Sequence, residues 1–169
     1  FRQNYGKYTE TFVQGHLSGL PYRLIPFHGW PSPMTTSHTD SLIARDPFIR
    51  KAFYHWHALL KTDIKAKENQ LIINRLVKEE VELILVEFGT MGARLSEVAQ
   101  ASGIPMVVIF YGYDAWHKKE LDSQKEAYQL LFKEAAKIIG VSKEICTQLE
   151  DLGCSKTKIV YAPCYVNVG

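Results

Sequence analysis

The residues of this chain best suited to chemistry stand where apolar runs end. The stretch from Pro105 to Asp114 passes from Met106-Val107-Val108-Ile109-Phe110 into Tyr111, Gly112, Tyr113 and Asp114. A continuous run of this kind, rich in β-branched residues, predicts a strand buried on both faces. In an open α/β sheet, ligands sit just beyond the carboxyl ends of the strands. Tyr111 to Asp114 therefore fall where a ligand is expected. A carboxylate there can orient or deprotonate a hydroxyl, which makes Asp114 the candidate base, with a helix cap or surface turn as the competing role. Tyr111 and Tyr113 can stack on a sugar face or simply pack. Glu87 closes a second apolar run, one residue before Phe88, and a carboxylate buried there needs partners or a raised pKa.

Glycines mark the same junctions. Gly6, Gly89 and Gly112 let backbone N–H groups approach an anion, and a helix N-terminus adds partial positive charge. Lys7 supplies a full charge beside Thr9 and Glu10. Gly6-x-x-Thr9 is neither a P-loop nor G-x-G-x-x-G, so tight turns explain these glycines equally well. Ser142 reads as a helix cap rather than a nucleophile, since no histidine partner is evident. Cys146, Cys154 and Cys164 show neither a disulfide framework nor C-x-x-C spacing and read as reduced, packed thiols. His55 and His57, two apart in a helical pattern, point to different faces. No metal site is expected.

The elements that must position these groups alternate along the chain. Thr9 to Leu20 has helical spacing (Phe12, Val13, His16, Leu17), and Tyr22 to Phe27 reads as a short strand. Asp46-Pro47 starts a helix whose Ile49, Phe53, Trp56 and Leu60 line one face, explained first by core packing. A helix over 64–78 carries Leu71, Ile72, Leu76 and Val77 inward. Val81 to Phe88 predicts a buried strand, Gly89 to Gly92 a tight turn into a helix, and Gly103 its left-handed cap. A helix over 120–136, a strand over 137–141, a helix from Ser142 to Gly153 and a strand over 158–162 follow. The alternation predicts a parallel sheet with helices on both faces. Gly6 to Glu10, Glu87 to Gly92 and Tyr111 to Asp114 should then converge at one edge.

The totals exclude several classes. The 169 residues point to one domain, and 46% hydrophobic with 22% charged residues is the balance of a globular protein. A net charge of +2 favours neither nucleic acid nor an anionic surface as a bulk partner. No apolar run approaches the roughly 20 residues that span a bilayer.

Taken in order, T-E-T-F (Thr9 to Phe12), F-G-T-M-G-A (Phe88 to Ala93), G-I-P-M-V-V-I-F-Y-G-Y-D (Gly103 to Asp114) and I-I-G-V-S-K (Ile138 to Lys143) form an informative set. Together with L-x-x-L-G-x-x-x-x-K-I in Leu149 to Ile159, they resemble the N-terminal domain of family 4 retaining glycosyltransferases over nearly the whole chain. The resemblance implies a Rossmann-like domain forming one half of a two-domain GT-B fold. This half would receive a saccharide or glycolipid acceptor, while its own C-terminal domain, outside this chain, would hold the nucleotide-sugar donor. It implies sugar transfer with retention in polysaccharide biosynthesis, without cofactor or metal. It further implies a cytoplasmic protein at the inner face of the membrane, and little activity for these 169 residues alone. By position, Gly6, Thr9 and Glu10 would line the cleft, and Tyr111 and Asp114 would face the reacting sugar. The chain departs from the pattern where Tyr111 replaces a histidine, where Glu87 replaces another before Phe-Gly, and where Tyr165 and Asn167 of Pro163-Cys164-Tyr165-Val166-Asn167 replace the glycine and the aspartate of P-x-G-V-D.

Two other readings remain open on sequence. One is a self-contained flavodoxin-like or Rossmann module that binds a nucleotide or partner without chemistry. The other keeps the two-domain fold with different chemistry, as in nucleotide-sugar 2-epimerases. A membrane-borne acceptor would meet the aromatic and basic residues between Phe48 and Lys67.

Overall fold

A computed structural model of the chain describes Phe1, Gly15 and residues 19–29, 41–43 and 47–164. Among the elements bounded within the described residues, two helices come first, α1 (Pro47–Leu59) and α2 (Ile64–Lys78). Strands and helices then alternate: β1 (Ile84–Glu87), α3 (Gly89–Ser102), β2 (Met106–Phe110), α4 (Gly112–Trp116), α5 (Lys118–Glu134), β3 (Lys137–Gly140), α6 (Lys143–Asp151) and β4 (Ile159–Tyr161). The four strands form one parallel sheet in the order β1-β2-β3-β4, flanked by helices. Ile84 faces Met106, Val108 faces Ile138 and Gly140 faces Tyr161, so the carboxyl ends line up along one edge.

The central strands are apolar because both faces are covered. Ile84, Val86, Met106, Val108, Phe110 and Ile138 are buried. Helix α3 closes on β2 through Gly92, where a Cβ would stand 2.7 Å from Val108 and 3.2 Å from Leu131 of α5. A side chain there would force the helix off the sheet. Leu95, Val98 and Leu131 complete the packing, and each side chain so buried contributes about 1.5–3 kcal/mol relative to exposure.

Local signals bound the helices, Ser142 and Gly103 as expected and Asp63 in addition. Ser142 Oγ accepts from the Ile145 amide at 3.2 Å, and Asp63 does the same for Ala66 at 3.1 Å. Gly103 (φ 68°) follows α3 in the left-handed region that glycine tolerates.

Phe1 joins the sheet. Its amine donates to the Leu85 carbonyl at 2.6 Å, and its carbonyl accepts from the Glu87 amide at 2.9 Å. These two bonds follow the parallel pattern along the edge of β1. Its ring stacks on Phe27 at 4.4 Å.

Several expectations are corrected. Tyr22 to Phe27 is irregular backbone rather than a strand, with a single bridge residue at His28. Gly89 to Gly92 is the first turn of α3 itself, and Tyr111 to Asp114 leads into a short helix not anticipated from the sequence. Ile49, Trp56 and Leu60 are exposed, because α1 meets α2 through Tyr54, which donates to Glu68 at 2.8 Å, with Phe53 and His57 half-buried beside it. Val77 is exposed for the same kind of reason: α2 turns Ile72 and Leu76 inward instead. The expected helix over Thr9 to Leu20 lies largely outside the described residues, as do Trp30 to Asp40 and the last five residues. Among the described residues, no helix is long and apolar enough to cross a membrane.

Candidate functional site

Two strand ends meet at the carboxyl edge of the sheet. β1 delivers Glu87 and β2 delivers Tyr111, and the Tyr111 hydroxyl donates to Glu87 Oε2 at 2.6 Å. Both side chains are buried. Burial first, and the Glu87 carboxylate second, push the Tyr111 phenol well above its ordinary range. Tyr111 is therefore a neutral donor that holds Glu87 in place.

Asp114 is more deeply enclosed, at 1% exposure. Its Oδ2 accepts from the Tyr111 amide at 3.3 Å, the reach-back bond of a residue near a helix start. The amides of Gly89 and Thr90, opening α3, also favour its charged form. Burial outweighs these amides and lifts the carboxyl from 3.8 to about 6. Its Oδ1 is buried and makes no hydrogen bond, so the carboxylate keeps capacity to accept one more proton or donor. The Tyr128 hydroxyl of α5 donates to the Asp114 carbonyl at 3.4 Å and ties α4 to α5.

The backbone between the two acids is strained. Phe88, joining β1 to α3, has φ 77° and ψ 133°, a conformation that costs a bulky residue about 1–3 kcal/mol. Its ring lies 5.0 Å from that of Tyr111. The same turn brings Glu87 and the first amides of α3 to one place.

The two glycines of this edge differ in role. A Cβ on Gly89 would stand 2.3 Å from the Phe110 ring, which is fully buried, whereas a Cβ on Gly112 would meet nothing within 4 Å. Gly89→Ala is expected to destabilise the fold by about 1–3 kcal/mol, and Gly112→Ala to change it by no more than about 0.5 kcal/mol. Urea denaturation of both variants checks this; equal losses would contradict the assigned close approach.

Of the three junctions expected to converge, the two that lie within the described residues do so. Glu87, Gly89, Tyr111, Gly112 and Asp114 share this edge, with Gly112 and Tyr113 exposed above it. Tyr113 stacks on His117 with centroids 4.6 Å apart. Gly6, Lys7, Thr9 and Glu10 lie outside the described residues. The sequence did not single out Cys164 for this site. The chain after β4 brings it close enough that the Glu87 carboxylate, after burial, raises its thiol pKa. Among the described residues, no three His, Cys, Asp or Glu side chains form a group able to hold a metal ion. No protein-family model matches the chain, and no curated protein matches it either.

Proposed function

We propose that this chain forms the acceptor-side, N-terminal domain of a GT-B retaining glycosyltransferase, moving a sugar from a nucleotide-sugar to a saccharide or glycolipid. The observation that carries the reading is the buried meeting of Glu87, Tyr111 and Asp114 at the carboxyl edge. These residues belong to, or adjoin, the segments F-G-T-M-G-A and F-Y-G-Y-D that resemble that family, so the resemblance and the geometry point to one place. In this reading, Asp114 Oδ1 accepts a substrate hydroxyl, opened to it by displacement of the short helix α4. Neutral Tyr111 keeps Glu87 oriented. The glycine at position 112 leaves room for a ligand to approach the backbone. A second domain supplies the nucleotide-sugar and completes the cleft.

Calorimetric titration of this chain with UDP, GDP and their sugar conjugates tests the assignment. No binding up to about millimolar concentration is expected, corresponding to less than about 4 kcal/mol of affinity. Micromolar binding, with NMR shifts around Gly112, would replace this reading with that of a self-contained nucleotide-binding module.

A further inference from the structure

Helix α4 is set off from its neighbours at both ends. Tyr111 (ψ 176°) precedes it and His117 (φ −74°, ψ 104°) follows it, both in extended backbone. Gly112, Tyr113 and Trp116 are exposed, and only Asp114 and Ala115 are buried. A segment with so little buried surface belongs to the low-stability end of a fold. Its anchor is polar. Asp114 Oδ1 is buried without a hydrogen bond, and the Tyr128 hydroxyl reaches the Asp114 carbonyl only at 3.4 Å. An enclosed carboxyl oxygen without a donor costs more charged than neutral.

We propose that α4 is a lid over the carboxyl edge whose latch is the Asp114 side chain: the neutral carboxyl keeps it shut, and the ionised one favours an open form that carries Oδ1 to water and to a ligand. Helices α3, α5 and α6 pack against α4. The first turn of α3, Gly89 to Gly92, is uncharged. Helix α5 brings Glu120, with Lys118 and Lys119 exposed at its start, and α6 opens with exposed Lys143 and Glu144. From the strands come Glu87 and its donor Tyr111. Among these charged groups, Glu120 is the one that acts on the Asp114 carboxyl, and it opposes ionisation. The closed carboxyl titrates at about 6 against an ordinary 3.8, so between those values the closed form keeps a proton that the open form releases. Opening therefore becomes more frequent as pH rises from about 4 to 6, then levels off, with the closed form still the major one. As regulation of a sugar site this rests on the proposed function; as a motion of α4 it does not.

Amide hydrogen exchange followed by NMR tests it. The Ala115 and His117 amides, which donate to Tyr111 and Tyr113 carbonyls at 3.2 and 3.1 Å, report on α4. The Val108 amide of buried β2 reports on global unfolding. Corrected for intrinsic rates, the α4 amides should exchange more readily than Val108 and with little dependence on dilute urea. Their opening should rise about a hundredfold between pH 4 and pH 7, stay flat in Asp114→Asn, and rise less in Glu120→Gln. The proposal is overturned if the α4 amides exchange only as fast as Val108 with the same urea dependence. A rise that persists in Asp114→Asn, or no rise in the parent, equally overturns it. Because the readout contains no sugar, a failure of the glycosyltransferase reading does not register in it.

Discussion

Replacing Asp114 by asparagine is expected to stabilise the fold at pH 7.5 by about 3 kcal/mol and, under the proposed function, to lower sugar transfer by the full-length protein about 10²–10⁴-fold. The stability term follows from burial. The folded carboxyl titrates at about 6, and an unfolded one near its ordinary 3.8. Between those values the folded state holds a proton that the unfolded state has released. Stability is therefore fully present below about pH 4 and falls as pH rises to 6, by about 1.4 kcal/mol for each unit of difference. Asparagine keeps the shape and the acceptor facing the Tyr111 amide but carries no charge to bury. Urea titrations of both proteins at pH 4 and pH 7.5 should show the gap open only at the higher pH. A variant less stable than its parent at pH 7.5 would mean that the Tyr111, Gly89 and Thr90 amides outweigh desolvation. The activity term needs the carboxylate itself, so unchanged transfer by the variant would remove Asp114 from the chemistry without touching the stability argument.

Replacing Arg94 by leucine is expected to cost about 3–5 kcal/mol, a large part of the 5–15 kcal/mol typical of a domain. Arg94 of α3 pairs with Glu68 Oε2 of α2 at 2.9 Å, with 12% and 11% of the side chains exposed. The guanidinium also donates to Asn69 at 2.5 Å, while Tyr54 of α1 donates to the other Glu68 oxygen at 2.8 Å. Burial and then the Glu68 bond push the Tyr54 phenol up to about 12, so it remains a donor across the ordinary pH range. Three helices thus meet on one carboxylate, and removing its cation leaves that charge enclosed. The double replacement Arg94→Leu/Glu68→Met should recover most of the loss, since two apolar groups leave no charge to desolvate. Lys65 and Glu97, 2.7 Å apart but half exposed, should be worth no more than about 1 kcal/mol. Denaturant midpoints for the four variants of the cycle measure the coupling; a single-variant loss below about 1 kcal/mol would show the network to be wet rather than buried.

The α/β class and most element positions are legible in the residues alone, because those rest on local physics. An apolar, β-branched run such as Met106 to Phe110 makes a strand buried on both faces wherever it is placed, and Ser142 and Gly103 act within a few residues of themselves. The candidate edge was also legible, since a glycine and a carboxylate follow both Val86 and Phe110 within four residues. How those side chains meet depends on long-range packing. Strand register puts Tyr111 on Glu87 across 24 residues of chain, and the packing of α4 against α3 closes Asp114 away from water and raises its pKa. Phe88 takes a positive φ because the junction of β1 and α3 demands it, not because phenylalanine favours it. The face of α1 is the plainest case. Helical periodicity locates an apolar stripe but carries no information on what covers it, and here Phe53 and Tyr54 turn toward α2 while Ile49, Trp56 and Leu60 stay in the open.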